Sequence, residues 1–242
     1  MEVHHHSHTA RKKWTHYFWE FLMLFLAVTL GFFVENQREH YIENLRAKRY
    51  AASLIEDLKR DTAEAHINLR FNKRFLANTD SVINELRKPH YLQNDTFLMT
   101  RGTNRMLLSQ LFDAQMSTYE QIKNSGSLRY FKQDIINKLN YYEKRKQRLE
   151  RLNGGYEAFS QQITEFMLKL TNNDFLYAWE QKLPIKEKKV FIKEPDRETR
   201  SLWLNYIINL AAKIRVFELG IANQEKNAIE IIALLRKEYH LK

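Results

Sequence analysis

The feature that most constrains this chain is an uncharged apolar run near its N-terminus, Phe21–Val34, with the sequence FLMLFLAVTLGFFV. As a helix, its fourteen residues would span about 21 Å, which is short of a hydrocarbon core of about 30 Å. Aromatic residues typical of a membrane–water interface extend the run on its N-terminal side: Trp14, Tyr17, Phe18 and Trp19. The sequence therefore predicts a transmembrane helix over residues 14–36.

One acid, Glu20, lies inside the extended run. It follows His16 by four residues, so the two side chains would share a face of a helix near the lipid head groups. We interpret Glu20 as part of the membrane interface, together with the four aromatic residues, rather than as a member of a proton relay.

Two other interpretations of the apolar run are open. A cleavable signal peptide has the same basic start and short apolar core, but it needs small residues before the cleavage site. The residues before Glu35 are bulky, with Phe32, Phe33 and Val34 in sequence. A core helix of a soluble protein would show a polar face, which this run lacks. An uncleaved membrane anchor is the favoured prediction.

The basic residues near the run predict its orientation. Arg11, Lys12 and Lys13 directly precede it, and Lys and Arg favour the cytoplasmic side of a membrane. We therefore expect residues 1–13 to form a cytoplasmic tail. In a bacterium this single-pass topology in the inner membrane places residues 37–242 in the periplasm.

The scarcity of turn-forming residues predicts a mostly helical protein. The 242 residues include only six Gly and three Pro, and neither occurs between Phe32 and Arg87. We expect one helix to leave the membrane and continue to about Arg87, where Pro89 ends it. The predicted fold class is all-α, with an N-terminal transmembrane helix continuous with an elongated antiparallel helical bundle.

The rest of the bundle follows from hydrophobic periodicity and capping signals. We expect short helices over Thr96–Phe112 and Thr118–Ser125, the second opened by a Ser117–Glu120 capping box and followed by Gly126 in the left-handed conformation. A helical stretch over Ser127–Leu170 runs through Gly154-Gly155, which suggests a bend or a close helix contact. After a loop at Asn172–Asp196, apolar residues repeat every seven positions in a last helix, Arg197–Tyr239: Ile207, Ile214, Ile221, Ala228 and Leu235.

Several classes of function are unsupported by the sequence. There is no cysteine, which excludes thiolate metal sites and cysteine nucleophiles. There is no P-loop, no dinucleotide-binding glycine pattern and no metalloprotease motif. We therefore predict no catalytic residues, no bound organic cofactor and no enzymatic activity. The net charge is +10, but we interpret basic stretches such as Glu143–Arg151 as solvated helix faces, and export would exclude nucleic acid as a partner.

The N-terminal tail contains the sharpest local signal for a metal. Closely spaced imidazoles can bind Zn, Ni or Cu, and four of them occur here: His4, His5, His6 and His8. The other interpretation is a polar tail near the head groups, partly protonated in mildly acidic surroundings. A metal site on these four residues is thus a candidate rather than the favoured prediction.

Two groups of segments resemble a family of uncharacterised single-pass membrane proteins from Bacteroidota. The first group is the MEVHHHSH start, the apolar run and the later SLIEDLKRDT, within residues 1–62. The second is TYEQIKNSGSLRYF and KLNYYE, residues 118–131 and 138–143. The resemblance implies that the His cluster is native and that the host is a Gram-negative bacterium. It implies no catalytic residue.

These observations favour a membrane-anchored helical scaffold, or an accessory subunit of a larger cell-envelope assembly. The expected partners are the lipid bilayer and other inner-membrane or envelope proteins, or further copies of the chain. Two other functions stay open: a periplasmic helical sensor that binds a small ligand between its helices, and a metal-handling protein that uses the His cluster.

Overall fold

The computed structural model describes residues 14–102, 112–182 and 192–241. Within these ranges the chain is all-α, which confirms the predicted fold class, and its extended pairing is limited to one isolated bridge between Thr171 and Ile192. Two short 3-10 turns accompany the α-helices, at Tyr91–Asn94 and Ser127–Tyr130. The α-helices are α1 (Trp14–Leu86), α2 (Asp95–Gly102), α3 (Ser117–Asn124), α4 (Gln133–Leu170), α5 (Asn173–Glu180) and α6 (Arg197–Tyr239).

Helix α1 is a single element of 73 residues. The predicted continuity between the apolar run and the first bundle helix is therefore confirmed, and α1 ends three residues before Pro89. The chain divides into two compact units, Met1–Arg49 and Tyr50–Lys242. Each unit is described by itself below.

The second unit is a bundle in which α6 packs antiparallel to α4. Three contacts give the direction, because the residue number falls on one helix as it rises on the other. Lys132 Nζ lies 2.5 Å from Glu238 Oε1, and Lys138 Nζ lies 2.9 Å from Glu230 Oε2. Further along, the ring of Phe166 packs against Tyr206 with a centroid distance of 5.1 Å.

Helix α6 is also antiparallel to the bundle part of α1. Glu225 lies within 3.8 Å of His66, and Arg215 Nη2 donates to Asp80 Oδ1 at 2.9 Å. At the far end, Arg200 donates through Nε and Nη2 to the Leu86 carbonyl at 3.1 and 2.5 Å. The guanidinium thus donates to a carbonyl at the C-terminus of α1. The last carbonyls of a helix have no hydrogen-bond partner within the helix.

The core of the bundle follows the predicted seven-residue repeat of α6. All five repeat positions are buried, and so are four residues on the complementary seam: Trp203, Leu210, Phe217 and Ile231. Two apolar clusters result, one containing Tyr119, Tyr142 and Ile221 and the other containing Leu86, Trp203 and Ile207. At about 25 cal/mol per Å² of buried apolar surface, these side chains supply most of the driving force for packing.

Close helix contact occurs at Gly220 rather than at the predicted glycine pair. A Cβ on Gly220 would lie 2.6 Å from Leu149 Cδ2, whereas a Cβ on Gly154 or Gly155 would meet nothing within 4 Å. Helix α4 continues through both of these glycines without interruption. Of the two predicted roles of this pair, the close helix contact was wrong, and the bend stays a prediction.

Three predicted boundaries differ from the structure. The segment Asn172–Asp196 contains helix α5 and is not purely a loop. Helix α2 is described over Asp95–Gly102, residues 103–111 of the predicted Thr96–Phe112 helix lie outside the described residues, and Phe112 is not helical. The Ser127–Leu170 stretch begins with a 3-10 turn, and its α-helix begins at Gln133. Gly126 has a φ of +69°, which confirms its predicted left-handed conformation.

Candidate functional site

The apolar part of α1 exposes its side chains on all sides. Helix α1 is long and apolar enough to cross a membrane, and none of its most apolar eighteen-residue window is buried. Phe32 is 74% exposed and Leu24 is 67% exposed. An exposed apolar surface of this extent is typical of a site that contacts lipid or another protein.

The predicted interface residues lie at the start of this surface and are all exposed: Trp14, Tyr17, Phe18, Trp19 and Glu20. The rings of Trp14 and Phe18 stack with their centroids 6.0 Å apart. Glu20 Oε1 lies 3.0 Å from His16 Nε2, so the predicted shared face of this pair is confirmed.

The candidate metal ligands His4, His5, His6 and His8 lie outside the described residues, and metal binding by them stays a prediction. Within residues 14–102, 112–182 and 192–241, no group of three or more His, Asp or Glu side chains is placed to hold a metal ion.

In the second unit, three acids of α1 form what we term the carboxylate ladder: Asp57, Asp61 and Glu64. Their spacing places them on one face of the helix. Each accepts a hydrogen bond from a backbone N–H of the segment 112–118, which runs antiparallel to α1. Glu64 Oε1 accepts from Asp113 N at 3.3 Å, Asp61 Oδ1 from Gln115 N at 2.7 Å, and Asp57 Oδ2 from Thr118 N at 3.0 Å.

The ladder explains how a non-helical segment can lie against the bundle. The side chains of Phe112, Ala114 and Met116 are buried, and those of Asp113 and Gln115 are exposed. The bond from Thr118 N is buried, that from Gln115 N is partly buried and that from Asp113 N is exposed. A buried N–H group without a partner costs about 1–3 kcal/mol. The carboxylates supply acceptors that a neighbouring strand would otherwise provide.

Asp57 also caps helix α3 from outside that helix. Its Oδ2 accepts from Thr118 N at 3.0 Å and from Ser117 Oγ at 3.3 Å. The residue at the N-cap position is Met116, which makes no side-chain cap. The predicted Ser117–Glu120 capping box was therefore wrong, because Ser117 is the first helical residue and its hydroxyl donates to Asp57. Sequence reasoning missed this acceptor, which lies sixty residues upstream.

The protonation of Asp57 follows from these bonds. Burial raises the pKa of Asp57, but hydrogen bonds from Thr118 and Arg60, together with the positive charge of Arg60, outweigh it and leave the pKa below its usual value. A negative charge next to the N-terminus of α3 is also favourable for the helix dipole. Asp57 is thus held as a carboxylate.

Asp61 occupies the most enclosed position of the ladder. The residue is 1% exposed, and its Oδ2 accepts from the hydroxyl of Tyr142 at 2.5 Å. The backbone carbonyl of Tyr142 in turn accepts from Gln224 Nε2 at 3.1 Å, so α1, α4 and α6 are joined in one polar chain. Burial raises the pKa of Asp61 to about 6, against the lowering effect of the bonds from Tyr142 and Gln115.

The ladder has the chemistry of a structural clamp. Both oxygens of Asp61 and both oxygens of Asp57 accept hydrogen bonds from the protein. The ladder also joins two distant stretches of the sequence, because Asp57 and Asp61 belong to SLIEDLKRDT and Thr118 opens TYEQIKNSG. The sequence signal for the ladder is the spacing of these acids, which places them at the same helical repeat as the apolar residues of α1.

Comparison of the chain with protein-family models, with curated proteins and with solved structures found no match.

Proposed function

We propose that this chain is a membrane-anchored helical scaffold, acting as an accessory subunit of a cell-envelope assembly without catalytic activity of its own. The observation that carries the proposal is the apolar segment of α1, whose side chains are exposed on all sides. A helix of this kind needs lipid or protein around it, and eighteen or more such residues are enough to cross a bilayer.

The polar groups of the bundle support a structural role. Asp57 and Asp61 direct their oxygens to backbone N–H groups and to side chains of the same chain. A catalytic acid or base needs access to the proton of a substrate. Carboxylates used in this way hold segments together, as a scaffold requires.

The proposed topology has the N-terminus in the cytoplasm and residues 37–242 in the periplasm of a bacterial inner membrane. Its support is the basic stretch Arg11–Lys13 directly before the span. Because the chain has no cysteine, a single introduced cysteine reports its own location. We expect Glu157→Cys to react with a membrane-impermeant maleimide once the outer membrane is opened, and Ser7→Cys to react only after lysis. The reverse pattern would refute the orientation.

The partners we propose are other inner-membrane or envelope proteins, or further copies of this chain. The test is mild crosslinking in native membranes, followed by affinity purification and quantitative mass spectrometry. We expect at least one stoichiometric partner, or a defined homo-oligomer. A variant in which an unrelated single-pass span replaces residues 14–36 shows whether association depends on the span or on the bundle. Recovery of both the native chain and the span-replaced variant as monomers without a partner would refute the scaffold proposal.

Metal handling by His4, His5, His6 and His8 stays a separate hypothesis. Elemental analysis of the natively purified protein, compared with a variant in which all four residues are Ala, tests it. A metal content of Zn, Ni or Cu that does not fall in the variant would eliminate this function.

A further inference from the structure

A groove runs along the surface of the bundle between α4 and α6, and we term it the α4–α6 groove. It has two adjoining parts, of about 370 Å³ and about 320 Å³. Leu152 and Val216 line both parts, so the two are continuous. Each volume lies in the range of small-molecule sites, roughly 300–1,000 Å³.

The two parts of the groove differ in character. The larger part has an apolar wall that includes Tyr156, Phe217 and Ala212. The smaller part is lined by Arg145 and Arg148. Since Arg148 and Tyr156 are eight residues apart on α4, the polar end and the apolar end are separated by about 12 Å along the helix.

Basic side chains surround the groove without a balancing acid. Arg145, Arg148, Arg151 and Lys213 line it, and no carboxylate does. Within the described part of the chain, Arg148 and Arg151 make no ion pair. Lys213 Nζ lies over the ring of Phe159, 5.1 Å from its centroid. The groove is therefore electropositive, and its cations are available to a ligand.

Two polar atoms at the groove are buried and lack a hydrogen-bond partner among the described residues: Nε of Arg145 and Oδ1 of Asn153. Arg145 uses Nη1 to donate to Tyr141 at 3.1 Å, and Asn153 uses Nδ2 to donate to the Phe112 carbonyl at 3.3 Å. Each side chain is thus held in place while one of its atoms stays unsatisfied. The Nε–H of Arg145 is a donor that an anionic head group can satisfy, whereas Asn153 Oδ1 is an acceptor and a carboxylate offers it no donor.

We propose that the α4–α6 groove binds a single-chain lipid with an anionic head group, either a carboxylate or a phosphate. The head group lies between Arg148 and Arg151, which share a face of α4, and accepts a hydrogen bond from Arg145. The alkyl chain lies along Leu152, Tyr156 and Val216. This assignment follows from charge complementarity at one end of the groove and from an apolar wall at the other.

This binding goes beyond the proposed scaffold role and does not depend on it. Its test uses the full-length protein in nanodiscs of zwitterionic phosphatidylcholine and, as probe, a dodecanoic acid that carries a photoreactive diazirine. We expect saturable labelling of groove residues, mapped by mass spectrometry. Excess dodecanoate or dodecyl phosphate should compete, and the stronger competitor identifies the preferred head group. Dodecanol, which lacks the charge, should compete at least tenfold less well.

Two variants and one control make the test specific. Arg148→Glu combined with Arg151→Glu reverses the charge of two exposed side chains, and we expect it to lower groove labelling at least tenfold. Ala212→Trp fills the apolar part and should have the same effect. Arg70→Glu combined with Lys73→Glu makes the same charge change at two residues that do not line the α4–α6 groove, although the cavity they line meets it at Leu219, and should leave labelling unchanged. Thermal unfolding of each variant, followed by circular dichroism, confirms folding.

Three outcomes would overturn the proposal. One is labelling confined to the apolar segment 14–34, and another is equal labelling in the charge-reversed variant and the control. The third is competition by an acidic amphipathic peptide but not by dodecanoate or dodecyl phosphate, which would assign the groove to a protein partner instead.

Discussion

The hydroxyl of Tyr142 donates a 2.5 Å hydrogen bond to Oδ2 of Asp61. Tyr142 is fully buried and Asp61 is 1% exposed, so water does not compete for this bond. It connects α4 to α1, and burial together with the neighbouring carboxylate raises the pKa of the Tyr142 hydroxyl well above its usual range. The proton therefore stays on the tyrosine, which acts as a permanent donor to the carboxylate.

Removal of this donor should destabilise the bundle. We expect Tyr142→Phe to lower the free energy of unfolding by about 1–3 kcal/mol, because Asp61 Oδ2 becomes a buried acceptor without a partner. The control is Tyr141→Phe on the same helix, where the residue is 52% exposed and the expected change is under about 0.5 kcal/mol. Urea titration of the full-length protein in neutral detergent measures both. Equal losses would contradict the assigned role of Tyr142.

The pKa of Asp61 predicts a stability that depends on pH. In the folded protein this pKa is raised to about 6 from an ordinary value of 3.8, so the folded state binds the proton more tightly than the unfolded chain. Above pH 6 Asp61 is ionised in the folded protein, which bears the whole cost of burying the charge. This cost falls as the pH approaches 4, because Asp61 becomes protonated. Wild type should therefore gain stability relative to Asp61→Asn between pH 7 and pH 4.

The comparison with Asp61→Asn isolates this group, because Asp57 is present in both proteins. The lowered pKa of Asp57 acts with the opposite sign, since its stabilising contribution is lost in acid. If the free energies of unfolding of wild type and Asp61→Asn change in parallel with pH, Asp61 does not titrate as described.

Because Asp57 of α1 caps α3, substitutions at the cap should differ in how much they lower the free energy of unfolding. Asp57→Ala removes the acceptor of Thr118 N, and we expect a loss of about 1–2 kcal/mol. Ser117→Ala leaves that acceptor in place and should cost less, since only the longer 3.3 Å bond from its hydroxyl disappears. Thermal or urea unfolding of the two variants decides between the observed cap and the capping box expected from sequence. A larger loss for Ser117→Ala would favour the capping box.

The glycines of α4 and α6 should respond differently to alanine. In a helix, Gly→Ala raises stability by about 1 kcal/mol when space is available. Gly154 has that space, so Gly154→Ala should stabilise the bundle. At Gly220 the new Cβ would meet Leu149 Cδ2 at 2.6 Å, and Leu149 is itself buried. Gly220→Ala should thus be less stable than Gly154→Ala in the same unfolding assay, and equal gains would show that Leu149 moves aside freely.

The membrane segment should be sensitive to charge. An Arg near the centre of a spanning helix costs about 2.5–3.5 kcal/mol in insertion experiments, so we expect Leu24→Arg to shift the protein toward the fraction extracted by alkaline carbonate. Leu168→Arg is the matched control, because Leu168 is 56% exposed but lies in the bundle. Similar extraction of both variants would count against a spanning role for the segment around Leu24.

Periodicity predicted the bundle because apolar residues determine which faces of long helices are buried. Ile207 and Ile214 are examples, since each lies at a seven-residue repeat and both are buried. Leu54 and Leu58 lie four residues apart on α1, a helical spacing, and both are buried. The extent of α1 beyond the apolar run followed from the absence of Gly and Pro between Phe32 and Arg87, because these two residue types disfavour a helix interior.

The carboxylate ladder could not be predicted in this way. Asp57 and Asp61 would ordinarily be assigned to the solvent face of an amphipathic helix, because acids are rarely buried without partners. Their partners are backbone N–H groups of residues 112–118, and no side-chain pattern marks a backbone donor. The burial of Asn68, Asn72 and Gln224 was also missed, because polar side chains are ordinarily assigned to the solvent face.

The ladder also has a consequence for biosynthesis. The partners of Glu64 and Asp61 lie 49 and 54 residues further along the chain, and that of Asp57 lies 61 residues further on. While α1 emerges from the ribosome, these backbone partners do not yet exist, and of the three acids only Asp57 has a bond within the described helix α1, from Arg60. The ladder can therefore close only after residues 113–118 have been synthesised.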